Sequence, residues 1–307
     1  MIDNIKLRVN NKLQFEHNLT KNEIVDLKTS INYFTGELYD YPKKGRLENL
    51  EISITEQSAY LKGSLHKYFN NSLYNEDHNY NDFSYCDLQY CIEELTEKLS
   101  IIDNTKLTNL EFGFNITTSI NPSVILNNNI LMFDLFSHNR DLKFQGKGNF
   151  KEFIKSDYSL KIYNKGKQYK KSENILRVEL KITKSRELNK LGIFSIEDLL
   201  KIDVLTNLFN RLVDVVNKAA IIDEYTPKNI LLNHNVKLKE YTNPNYWIKV
   251  RNDSNYKQFY KKRKEFEKLI LNYNLDTIKQ EIITKLNEKF IELLDCNYSS
   301  TSLDNIA

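Results

Sequence analysis

The stretch Ser159–Thr183, SLKIYNKGKQYKKSENILRVELKIT, decides how the rest of the chain is read. Leu160 and Ile162 alternate with Ser159, Lys161, Tyr163 and Lys165. After a basic turn, Val178, Leu180 and Ile182 alternate with Arg177, Glu179 and Lys181. Successive side chains on a strand point to opposite faces, so the pattern predicts two strands with one apolar and one polar face each. If the apolar faces share a core, Tyr163, Lys165, Arg177, Glu179 and Lys181 emerge together on an open side. A phenol, two amines, a guanidinium and a carboxylate gathered on one face call for a chemical reason.

Working outward, Ile5 to Val9 reads as a first strand. Leu50 to Thr55 and Ala59 to Leu65 read as a hairpin, with Tyr60, Lys62, Ser64 and His66 on its polar face. Leu107 to Thr118 is a further strand; Phe112, Phe114 and Ile116 point one way, and Glu111, Gly113 and Asn115 the other. Lys67 to Phe83, rich in Asn, Tyr and Asp, reads as a loop. A helix follows from Asp87, with Leu88, Ile92, Leu95 and Leu99 at helical spacing. Asn121-Pro122 opens a turn and a short helix, and Asp134 to Phe150 is mixed in pattern. Ser195 and Asp198 form a capping box ahead of the stripe Leu199, Leu200, Val204, Leu208, Leu212 and Val216. Pro227 and the Asn-rich stretch to Asn235 mark a boundary. Helices over Tyr256–Leu271 and Leu275–Leu294 follow, and the final NYSSTSLDNIA reads as a frayed tail. The expected fold class is α+β: a mainly antiparallel sheet with packed helices, plus a C-terminal helical module. The expected division is a catalytic domain over 1–225 and a helical DNA-binding or accessory module over 226–307.

Composition narrows the classes. The chain has 307 residues, 40% hydrophobic and 28% charged, which suits one or two globular domains. No run is long and apolar enough to span a bilayer, and MIDNIKLRVNNKL lacks the basic-then-apolar pattern of a signal peptide. The expectation is a cytoplasmic protein with no membrane partner. Three cysteines, an odd count without metal-type pairing, argue against a disulfide framework or a zinc finger. Cys86 and Cys91 are expected to pack as small apolar groups. The net charge of +3 says little about partners, but its distribution says more. Lys165, Lys167, Lys170 and Lys171 lie within a few residues of Tyr163, and KQFYKKRKEFEK places Lys261, Lys262 and Arg263 among aromatic residues. Basic clusters interleaved with tyrosines suit nucleic acid, although charge runs are also ordinary solvated faces. Arg177 and Lys181 extend the first cluster along the strand.

Three acids and bases stand on the expected polar faces: His66, Glu111 and Glu179. Carboxylates with an imidazole suit Mg²⁺ or Mn²⁺, and such an ion polarises a phosphodiester. Tyr163 is the candidate nucleophile. A phenol with an ordinary pKa of about 10 attacks poorly at neutral pH, and Lys165 with a metal-bound phosphate would favour its ionised form. Attack on DNA by Tyr163 would leave a phosphotyrosine and a free 3′-hydroxyl, preserving the phosphodiester energy for rejoining. From alternation alone, Glu111, Glu179 and Asn115 also read as ordinary strand residues, and His66 as a packed histidine.

Several short motifs, in this order, resemble the gene II/gene X replication initiators of filamentous phages and related plasmids. They are MIDNIKLRV, YLKGSLHKYFN, LTNLEFGFNI, NPSVIL, SLKIYNKGKQY and LRVELKITKSRELNKLGI, within the first two hundred residues. The resemblance implies Tyr163 as nucleophile, Lys165 as its motif partner and Glu179 as an acidic metal ligand. Glu111 matches a position more often held by Asp, and Asn115 departs from relatives that carry a second carboxylate there. The implied function is nicking of one strand at a double-stranded origin, rolling-circle synthesis by host enzymes, and rejoining. The partners implied are origin DNA and a host helicase and polymerase, since no Walker-type Gly-rich loop is present. A homodimer is left open. Two other readings stand beside it: a non-catalytic nucleic-acid-binding protein, and a relaxase or transposase-like enzyme of a mobile element.

Overall fold

The computed structural model describes residues 1–21, 25–99, 105–137 and 150–296. Most of the mixed 134–150 segment and the expected frayed tail from residue 297 lie outside the described residues. The strands are β1 (Ile2–Val9), β2 (Lys43–Leu47), β3 (Leu50–Ile54), β4 (Ala59–Ser64), β5 (Thr105–Thr117), β6 (Ile130–Phe133), β7 (Phe150–Ile154), β8 (Tyr158–Asn164), β9 (Ile175–Ile182) and β10 (Ala219–Ile221). The helices are α1 (Lys12–Lys21), α2 (Leu65–Tyr74), α3 (Tyr85–Leu99), α4 (Pro122–Val124), α5 (Lys165–Gln168), α6 (Ser185–Lys190), α7 (Ile202–Asn217), α8 (Leu232–Tyr241), α9 (Pro244–Asp253), α10 (Tyr256–Asn272) and α11 (Thr277–Leu294).

Eight strands form one antiparallel sheet in the order β2-β3-β4-β1-β5-β9-β8-β7, and β10 pairs β6 separately. The architecture is α+β, as expected. The β8–β9 pairing sets Lys161 opposite Glu179 and Tyr163 opposite Arg177. On the other side of β9, Glu111 faces Lys181, Gly113 faces Glu179 and Asn115 faces Arg177. Gly113 is required by this register. A Cβ there would lie 2.4 Å from the Val178 carbonyl oxygen and 2.7 Å from Glu179 Cα.

The apolar face carries Phe112, Phe114, Leu160, Ile162, Val178, Leu180 and Ile182, all essentially buried. α6, α7 and α11 pack on this side of β5. Phe209 of α7 and Phe290 of α11 stack with ring centroids 4.3 Å apart, and both meet the edge of Phe114. Burying side chains of this size contributes about 1.5–3 kcal/mol each relative to leaving them in water.

Several parts of the chain differ from the sequence expectation; among them, the stripe read as one helix from Leu199 is broken at Lys201, with Leu199 and Leu200 in a separate turn ahead of α7. Residues 67–74, read as the start of a loop, form α2 together with Leu65 and His66, which were read with the preceding strand; Ser64 caps it by accepting the Lys67 N–H at 3.1 Å. Buried Leu65, Tyr68 and Phe69 hold the helix, so packing overrides its polar composition. Cys86 does not pack as a lone apolar group. It meets Cys296 as a disulfide with Cα atoms 5.6 Å apart, because the end of α11 lies against the start of α3; Cys91 alone is free and buried. The residues after Pro227 do not pack as one unit. α8, α9 and α10 enclose a second core around Trp247, with Leu238, Tyr241, Phe266 and Leu269. Helix α11 instead gives Ile278, Ile282, Leu286, Phe290 and Leu293 to the core of the large sheet.

Candidate functional site

The polar side chains of β1, β5, β8 and β9 meet in one cluster. Glu179 accepts from Lys161 Nζ at 2.9 Å on one oxygen and from Arg177 Nε at 3.0 Å on the other. Glu111 accepts from Lys161 and Lys181, both at 3.0 Å, through Oε1, and from Asn4 at 2.6 Å through Oε2. Asp3 accepts from Arg177 at 3.3 Å and Asn79 at 2.8 Å through Oδ2, and from Ser64 through Oδ1. Carboxylate oxygens of Asp3, Glu111 and Glu179 lie within 4.8 Å of one another. The face is not open as expected: these three carboxylates are only 1–5% exposed.

Asp3 was missed from the sequence. Period-two alternation from Ile5 and Leu7 would place it on the apolar side. The β1–β5 register shifts between Ile2 and Ile5, and this irregularity lets both Asp3 and Asn4 reach the acids. The signal available was a carboxylate beside Ile2 at the head of a strand. Lys161 was visible in the alternation but not as a partner of both glutamates. Asn79, in the loop after α2, carried no pattern at all. Its Oδ1 accepts from Lys165 Nζ and from the Tyr169 hydroxyl, each at 2.7 Å.

The cluster is internally paired. Burial alone would raise the Glu179 carboxyl, but Lys161 and Arg177 overcome it and hold the group well below the usual range. The same carboxylates outweigh the burial of Lys161 and keep its ammonium charged. Lys165 is different. Burial, with Arg177 adding repulsion, lowers its pKa to about 7. β8 ends at Asn164, whose Oδ1 accepts the Lys167 N–H at 2.8 Å, so Lys165 begins α5 instead of continuing the strand. Its Nζ lies 5.5 Å from the Tyr163 ring centre and 5.0 Å from that of Tyr169. Tyr163 is half-buried, and among the described residues its hydroxyl makes no hydrogen bond. The expectation that Lys165 favours its ionised form is not met in the free chain. Burial and the charge of Glu179 hold the phenol well above its ordinary value.

His66 stands outside this group. It lies in the first turn of α2, not on the β4 face, and its Nε2 meets Asn81 Oδ1 at 2.7 Å while its ring stacks on Phe83. Burial, then the neighbouring terminal amine and Arg177, push its pKa well below the usual value, so it is neutral. Asn115 accepts from Arg177 at 3.1 Å and donates to the Tyr80 carbonyl at 3.0 Å, tying the loop to the sheet rather than facing the acids. Arg177 is 3% exposed and turned inward, because three acceptors surround its guanidinium. Lys181 is one-third exposed beside Glu111. Lys167, Lys170 and Lys171 are exposed around a cleft of about 460 Å³ that also involves Asn121, Ser123 and Asn164. On α10, Lys261 is exposed, Lys262 donates to the Tyr246 hydroxyl at 2.8 Å, and Arg263 pairs with Glu267 and Asp134.

Three hard carboxylates within reach of one another are the donor chemistry that Mg²⁺ or Mn²⁺ takes. The Lys161 ammonium, seated between Glu111 and Glu179, is a cation already standing in that place. The acidic group is therefore built to hold a positive charge. No helix among the described residues is long and apolar enough to cross a membrane.

No family model matches the chain, and no curated protein does. Among solved structures, the chain is similar to the rolling circle replication initiator protein from Geobacillus stearothermophilus, over 71% of this chain and 84% of that one, at 10% identity and a TM-score of 0.40. A likeness that distant carries no weight for function.

Proposed function

We propose that this chain initiates rolling-circle replication by nicking one strand of origin DNA through Tyr163 and later rejoining it. The reading rests on one observation: the β8–β9–β5 register that sets Tyr163 across from Arg177, next to the buried carboxylates of Glu179, Glu111 and Asp3. The Tyr163 oxygen attacks the scissile phosphorus, the bond to the 3′-oxygen breaks, and the 5′-phosphate stays on the ring. The Lys165 amine, partly neutral near pH 7, accepts the phenolic proton and returns it to the departing 3′-oxygen. A divalent ion held by Asp3, Glu111 and Glu179 would add positive charge beside the phosphate. Lys167, Lys170 and Lys171 would hold the flanking backbone. Reversal by a 3′-hydroxyl reseals the strand without ATP, because one phosphodiester has been exchanged for another. Strand separation and synthesis fall to a host helicase and polymerase.

The test is to incubate labelled origin oligonucleotide and Mg²⁺ with the full chain and to map the modified peptide. The expected adduct is on Tyr163, and Tyr163→Phe forms none; an adduct formed equally by that variant overturns the assignment. A second reading, a non-catalytic DNA-binding protein, is favoured by the raised Tyr163 pKa. It predicts salt-dependent binding with no adduct from any variant.

A further inference from the structure

We propose that Lys161 is a resident counter-ion of the carboxylate group, which a divalent metal ion must displace to enter. The inference rests on the metal-dependent nicking reading above and adds a control on when that site can form. Lys161 Nζ lies 3.0 Å from Glu111 Oε1 and 2.9 Å from Glu179 Oε1, bridging two of the three acids. Three carboxylates face three cations, Lys161, Arg177 and Lys181, so the group is neutral overall without an ion.

The cations are not equally able to leave. Arg177 is held by Glu179, Asp3 and Asn115 and is 3% exposed; moving it would open the core. Among the described residues Lys181 pairs with Glu111 and does not bridge two acids. Lys161 sits on a flexible four-carbon stem, is 18% exposed at the side chain, and bridges the acids. Mg²⁺ binds carboxylate oxygen at about 2.0–2.1 Å with twice the charge, closer than an ammonium can approach. Both cannot occupy the space between Glu111 and Glu179. Lys161 and Tyr163 are two residues apart on the same face of β8, about 7 Å along the strand. A displaced ammonium therefore swings out beside the phosphate that Tyr163 would attack. Metal entry and DNA binding favour each other through this side chain, and the free chain keeps its acids closed.

The experiment measures Mn²⁺ bound to the full chain, by the paramagnetic signal of the free ion, together with lysine acetylation of the wild type. Lys161→Met is expected to bind Mn²⁺ at least about ten-fold more tightly than wild type, and Glu179→Gln to lose binding. In the wild type, Lys161 is expected to be protected from acetylation without Mn²⁺ and labelled several-fold faster with it, a readout that needs no variant to fold. Equal Mn²⁺ affinity in wild type and Lys161→Met, with Lys161 labelling unchanged by the ion, overturns the counter-ion role and leaves the metal reading standing. Absence of Mn²⁺ binding from all three chains overturns both.

Discussion

Arg177 is paired across the β8–β9 ladder with Tyr163, yet its guanidinium turns away from solvent to bond Glu179 and Asp3. A residue that reads from sequence as a DNA contact is thereby a structural cation. Arg177→Met would take a cation from two buried carboxylates, leaving Glu179 with Lys161 alone and Asp3 with only the neutral donors Asn79 and Ser64. The expected loss is about 3–5 kcal/mol of stability, read as a lower urea midpoint with unchanged m-value. The salt dependence of DNA binding in the folded fraction should be unchanged.

Gly113 faces Glu179 across the β5–β9 ladder and leaves no room there for a Cβ. Because the obstruction is the Val178 carbonyl, Gly113→Ala cannot be relieved by a side-chain rotation. A cost of about 1–3 kcal/mol is expected from overpacking, and the strand shift should also move Glu179. Urea unfolding and Mn²⁺ affinity should fall together in this variant.

Lys165 sets a pH dependence. In the proposed reaction its amine takes the phenolic proton only when neutral, so nicking should rise as pH increases through about 7. In Lys165→Gln the rate should be low and this step absent from the pH profile. The same shift acts on stability. The folded pKa lies below the unfolded 10.5, so the unfolded chain binds more protons between about 7 and that value. The contribution to stability therefore rises with pH across that window, and urea midpoints should show it in wild type but not in Lys165→Gln.

The exposed lysines of the 460 Å³ cleft should act on affinity alone. Replacing Lys167, Lys170 and Lys171 with Gln should weaken DNA binding uniformly across sequences. Each phosphate left without its lysine should lower the slope of log K against log salt by about 0.9. Thermal stability should hardly change. A slope equal to wild type would remove these residues from the interface.

The strands around the site were legible because β5, β8 and β9 are each apolar on one face and polar on the other. That alternation assigned Glu111, Glu179, Arg177 and Tyr163 to a common surface, and the register agrees. The long helices were legible from their apolar stripes. What lay beyond reach depends on neighbours distant in the chain. Asp3 joins the acids through a register irregularity, α2 owes its existence to buried Tyr68 and Phe69, and Asn79 is placed only by the loop that carries it. Burial was also hidden: alternation showed a polar face but not that salt bridges would close it.

Asp223, just past β10, accepts the N–H groups of Thr277 and Ile278 at the head of α11, and its own N–H donates to Leu275 at 2.8 Å. The chain thus leaves and re-enters the main body at one doorway, with α8, α9 and α10 hung between as an insert. Cutting the polypeptide at 226 would strip away the wall that Phe290 builds behind the sheet, whereas splicing Asp223 directly to the start of α11 would excise the insert and leave that wall standing.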